Sequence, residues 1–121
     1  MMSSADQEAS LNSLNSLKST YRKLSNAYES MEGKGANTTL VKKRRDAIKV
    51  AIDTLRSDWY GNDFSYERDV IATSQLTLED ILPSIHKQLA KAIDRSPQLT
   101  LNVRRLTALN LAIESLKNRL G

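Results

Sequence analysis

The sequence contains no cysteine, so disulfides, thiol nucleophiles and cysteine-held zinc are excluded, an absence that fits a reducing compartment. Its single histidine, His86, has no Glu-x-x-His spacing around it and reads as a solvated or hydrogen-bonded side chain. With one histidine and no glycine-flanked nucleophile elbow, the many serines do not suggest a hydrolase. The four glycines contain no phosphate-cradling pattern. Only two prolines, together with aromatics at 5%, argue for helices rather than a sandwich or barrel. No apolar run approaches the roughly 20 residues of a membrane-spanning helix. The opening "MMSSADQEAS" also lacks the basic and apolar regions of a secretory signal. One carboxylate pair, Glu79 and Asp80, is adjacent in sequence. On a helix such neighbours diverge by about 100° and cannot converge on one substrate atom. The expectation is therefore a cytoplasmic, non-catalytic protein with no metal, no cofactor and no small-molecule substrate.

What is present is 121 residues, 40% of them hydrophobic, which is one domain by length and long enough to bury a core unaided. The formal charge of +4 and pI near 9.5 lean weakly toward acidic partners. The first eight residues are polar and are expected to be a disordered N-terminus, with one helical-bundle domain over 9–121.

Helical periodicity organises the rest. Leu14, Leu17, Tyr21, Leu24, Tyr28 and Met31 recur at intervals of 3, 4, 3, 4 and 3, a heptad seam that predicts a helix over about 9–32. "GKGANTT" ends it, with Gly33 or Gly35 as left-handed cap and Thr38 or Thr39 as cap for the next helix. Val41, Ile48, Ile52, Leu55 and Trp59 share a face of that second helix, over about 39–59, with Ala51 at its edge. A third helix is expected over about 64–94, with a kink or break near 74–83. There Thr77 and Asp80 resemble a capping box, and Pro83 follows six residues on. "RSPQLT" makes the last turn, and Leu106, Leu109, Ile113, Leu116 and Leu120 form a second heptad seam over about 99–120. The fold class is all-α, an antiparallel four-helix bundle.

Two surfaces stand out. In "VKKRRDAIK", Lys42, Arg45 and Lys49 form a stripe with Arg56 beside the apolar face, and Lys43 and Arg44 extend it. Arg104 and Arg105 make a second patch, and all eight are candidates for binding a polyanion by neutralising phosphates. Asp46 and Asp53 lie within reach of the stripe, so a solvated face laced with weak ion pairs explains it as well. No aromatic is interleaved among these cations, which argues against stacking on single-stranded bases. Leu111 projects opposite the Leu106–Leu120 seam, with Ala108 on the same side. A leucine there is a candidate for contact with a partner or a second copy. Leu14, Tyr21, Tyr28, Trp59, Leu109, Ile113 and Leu116 are the residues expected to build or support such a contact.

"LRSDWYGNDF" places Leu55, Trp59, Gly61 and Phe64 across a helix–turn–helix junction. The stretch resembles the WXG family, small helical-hairpin proteins of type VII secretion systems and their associated partners. The resemblance covers about residues 40–93. It implies a cytoplasmic assembly or targeting partner that forms helical dimers or binds helical segments of secreted toxins. This chain departs from the family in having a heptad helix on either side of the hairpin. The family's tyrosine-to-acidic signal does not follow the hairpin; its spacing occurs at Tyr28 and Glu32, ahead of it. The expected function is a helical protein-interaction module or small assembly subunit, with a protein partner or homo-oligomer. Two alternatives stand beside it: a basic subunit gripping nucleic-acid backbone, and an immunity or inhibitor bundle for one toxin or enzyme.

Overall fold

The computed structural model describes residues 4–92 and 96–121, with side chains from residue 7 onward. Four helices make up the bundle: α1 (Ser4–Gly33), α2 (Thr39–Tyr60), α3 (Arg68–Lys91) and α4 (Pro97–Leu120). Short connections make sequential helices antiparallel neighbours. α1 packs on α2 and α4, and α3 packs on the same two. α2 and α4 also meet across the diagonal, whereas α1 and α3 do not meet among the described residues. The cross-section is thus a flattened diamond with α2 and α4 at its waist.

The apolar periodicity becomes the core. Leu17, Ile48, Leu55, Leu78, Leu109 and Leu116 are fully buried, and Leu14, Ile85 and Ile113 are nearly so. Each such side chain contributes about 1.5–3 kcal/mol relative to exposure. Burial is uneven along the first seam: Leu14 and Leu17 are sealed, but Tyr21, Leu24, Tyr28 and Met31 are only half-buried. The bundle opens toward the end that carries the α1–α2 turn. Ala51, expected at the edge of its helix face, is completely buried.

Several boundaries differ from expectation. α1 begins at Ser4, ahead of the anticipated start at residue 9. Gly35 adopts the left-handed conformation (φ 71°) after α1. Neither threonine side chain caps α2; Asn37 Oδ1 accepts the Thr39 N–H instead (3.0 Å). At the start of α4, Ser96 accepts the Leu99 N–H (3.1 Å) and Pro97 occupies the first turn, where its missing N–H costs nothing.

α3 starts at Arg68, not near 64, because residues 61–67 are extended. Gly61 closes α2 with φ 73° and donates its N–H to the Ser57 carbonyl. Phe64 and Tyr66 then alternate inward with period two, their ring centroids 5.0 Å apart, packed against the core.

Of the kink or break expected near 74–83, no break occurs: α3 runs through Pro83. Pro83 lies on the exposed side of the helix, while Leu78 and Ile85 on either side of it are buried. An interior proline costs about 3 kcal/mol. Burial of Leu78 and Ile85, at about 1.5–3 kcal/mol each, offsets that cost. Thr77 starts no helix: it is buried within α3, and its hydroxyl donates to the Thr73 carbonyl one turn back (2.8 Å). The anticipated α3 residues Ile93 and Asp94 lie outside the described residues.

Candidate interaction site

The α1–α4 face carries a groove. Two adjoining clefts of about 160 Å³ each share Asn12 and Arg104 in their walls and so run together along the seam. α1 supplies only small side chains to this wall, among them Ala9, Asn12, Ser13, Ser16 and Ser19. α4 supplies Leu101, Val103 and Thr107 with Arg104 and Arg105, and no carboxylate lines either cleft. Leu101 and Val103 are each 47% exposed. Leu111, 41% exposed, continues the line one turn beyond Thr107 at the i+7 position from Arg104. Ala108, grouped with Leu111 on sequence grounds, is instead completely buried and faces the bundle. It lies nearer the buried arc of α4, and a methyl group fits where leucine would not.

The other anticipated contact residues divide by burial. Leu14, Leu109, Ile113 and Leu116 are core, so they support the surface without forming it. Tyr21 and Trp59 are partly buried against that core. Tyr28 stacks under Arg45, whose guanidinium carbon lies 4.7 Å from the ring centroid. The neighbouring Glu32 pushes the Tyr28 hydroxyl pKa above its ordinary value.

The anticipated basic stripe is partly consumed by its own helix. Arg45 lies 3.4 Å from Asp46, and Lys49 lies 3.2 Å from Asp53. Asp53 also accepts the Tyr66 hydroxyl, which ties the extended segment to α2. The bond to Asp53 holds the Lys49 pKa up; burial, then Asp53, raises that of Tyr66. Lys42 and Lys43 are exposed, Arg44 and Arg56 half-buried, and Arg104 exposed. Arg105 is half-buried, with its Nε sealed from solvent and without a hydrogen-bond partner among the described residues; this burial lowers its pKa. The eight cations therefore form no single continuous field.

Periodicity of apolar residues alone passes over a polar network at the opposite end. Thr54 is completely buried, and Ser115 nearly so. Arg119 Nε donates to Thr54 Oγ1 (2.7 Å), the Thr54 and Ser115 hydroxyls are 2.6 Å apart, and Ser115 donates to Asp58 Oδ2. Arg119 Nη2 closes the ring by donating to Asp58 Oδ1 (3.0 Å). Ser115 has one hydroxyl hydrogen, committed to Asp58, so Thr54 is the donor between the two hydroxyls. The Arg119 guanidinium also covers Phe64 at 3.9 Å from the ring centroid. This ring clamps α2 to α4 across the diagonal. The signal was legible as polar residues in core register: Thr54 lies three residues beyond Ala51, and Ser115 three beyond Ala112.

Among the described residues no cluster of His, Cys, Asp and Glu could hold a metal ion, and His86 is exposed. No helix of the described residues is long and apolar enough to cross a membrane. Comparison with protein-family models, with curated proteins and with solved structures gives no match.

Proposed function

We propose that this chain is a non-catalytic protein-interaction module whose contact surface is the α1–α4 groove. Its occupant is an amphipathic helix carrying acidic residues beside its apolar stripe. The carrying observation is the composition of the two walls. Small side chains on α1 let another helix approach closely, and Leu101, Val103 and Leu111 offer apolar area on α4. Arg104 and Arg105, with no carboxylate in the lining, favour a negatively charged rim on the partner. The hairpin around Trp59 and Gly61 supports a finer proposal, that the partner is a helical protein associated with secretion, as the WXG resemblance implies.

The test compares proteins captured from the source cell by three forms of the chain: wild type, Val103→Asp with Leu111→Asp, and Leu76→Asp. Leu76 is 59% exposed on α3, away from the groove. A partner retained by wild type and Leu76→Asp but lost from the groove variant supports the proposal. The same proteins on all three forms, or loss from Leu76→Asp alone, contradict it. Light scattering separates the homo-oligomeric occupant: a wild-type dimer that becomes monomeric on Leu111→Asp means that a second copy fills the groove.

A further inference from the structure

At the splayed end of the bundle a cavity of about 220 Å³ lies between α1 and α3, reached by side chains from all four helices. Three of its lining residues are cations, Lys23 from α1, Arg44 from α2 and Arg105 from α4, and none is acidic. None of the three takes part in an ion pair among the described residues.

The two arginines stand where core residues belong. Arg44 precedes Ala47, Ile48, Ala51 and Leu55 at i+3, i+4, i+7 and i+11, all of them buried. Arg105 likewise precedes Ala108, Leu109, Ala112 and Leu116, and follows the buried Asn102 by three residues. Each guanidinium is thus carried on the interior stripe of its helix, one turn beyond the point where the apolar core stops. Arg105 Nε is sealed from solvent and donates to no acceptor among the described residues. A buried donor without an acceptor is costly, and like charges brought together at reduced solvation repel. A leucine at either position would continue the core. The arrangement works against folding stability and in favour of something negatively charged.

We infer that this cavity is a binding site for a small phosphate-bearing anion, either inorganic phosphate or a small phosphomonoester. A phosphate carries about −1.5 to −2 charges and accepts several charge-assisted hydrogen bonds, matching a three-cation cluster better than a single carboxylate does. Guanidinium forks from facing helices, Arg44 and Arg105, grip its oxygens from two sides, and Lys23 closes the rim as a point charge. Ser84 and Gln88 on α3 add neutral polar groups, and Leu24, Ile81 and Ile85 provide an apolar floor for a small organic remainder. The volume lies below the roughly 300–1,000 Å³ of drug-sized ligand pockets, so a nucleotide is not the expected occupant. The inference is independent of the proposed groove partner, although Arg105 borders both features.

The experiment titrates the whole chain with inorganic phosphate and with glycerol phosphate by calorimetry, holding ionic strength constant with sodium chloride. Wild type is expected to bind at a single site. Arg44→Leu and Arg105→Leu are each expected to lose at least tenfold in affinity while raising the urea midpoint of the free protein. Lys23→Gln, at an exposed position that does not endanger folding, is expected to lose severalfold. The doubly substituted Lys42→Gln, Lys43→Gln removes more charge outside the cavity and is expected to stay within twofold of wild type. Leu101→Ser, which disturbs only the groove, is likewise expected to bind phosphate normally. Absence of wild-type binding at 10 mM phosphate, retention in Lys23→Gln and the leucine variants, or equal loss in the Lys42/Lys43 control overturns the assignment.

Discussion

Removing both hydroxyls from the α2–α4 ring should cost less than the sum of removing each. In Thr54→Val the ring loses one hydroxyl. Ser115 keeps its bond to Asp58, and Arg119 Nε loses an acceptor but can turn to solvent, since the side chain is 25% exposed. The cost should be about 1 kcal/mol, the net worth of one hydrogen bond. In Ser115→Ala the Thr54 hydroxyl remains, completely buried, with no acceptor for its hydrogen. That orphaned group adds a desolvation penalty, so the expected cost is about 2–3 kcal/mol. The double variant contains no orphaned hydroxyl, and Arg119 still holds Asp58 at 3.0 Å. Its expected cost is about 2 kcal/mol, leaving a coupling of about 1–2 kcal/mol between sites 61 residues apart in sequence. Urea denaturation of the four proteins, with unchanged slopes, measures the cycle. Additivity within about 0.3 kcal/mol would refute the closed ring.

Two further predictions follow from the packing of α2 and α3. Lys49 and Tyr66 have pKa values raised above the ordinary 10.5 and 10.0, so the stability they confer is complete below about pH 10 and declines as pH rises through the raised values. Tyr66→Phe should therefore show a shallower loss of stability between pH 9 and 11 than wild type, and an equal loss contradicts the linkage. Pro83→Ala should stabilise the chain by about 2 kcal/mol, because α3 already runs through this position and regains a helical N–H, partly offset by a freer unfolded chain. An unchanged or lower urea midpoint would mean that α3 is not a continuous helix there.

Particular residues show how far sequence reasoning reached. Leu14 with Leu17, and Leu109 with Ile113 and Leu116, announced their helices because heptad intervals in leucine-rich segments have no competing explanation, and all five are core. At Pro83 the helix does not break, because a local rule costing about 3 kcal/mol yields to tertiary burial of Leu78 and Ile85, which no local pattern reveals. Phe64 and Tyr66 were assigned to a helix start, but the left-handed Gly61 breaks the period and leaves them alternating in an extended segment. Counting only apolar residues also hid the two polar features of the bundle. Thr54 and Ser115 sit in core register at one end, Arg44 and Arg105 in core register at the other. Arg104 and Arg105 were grouped as one patch, yet adjacent helical positions diverge by about 100°, and only Arg105 turns toward the cavity. The exposure of Leu111 was foreseeable from its angle to the seam; the groove beside it needed the placement of α1.

The claim that the α1–α4 groove receives an acidic amphipathic helix is tested most directly by an NMR titration with two model helices. Both carry the same leucine stripe, one flanked by glutamates and the other by lysines. The expected result is that the glutamate helix shifts the amides of Asn12, Ser16, Leu101, Val103 and Leu111, that Val103→Asp abolishes those shifts, and that the lysine helix produces none. Shifts that fall instead on the outer face of α3 around Leu76, or that appear equally with both helices, would contradict the account.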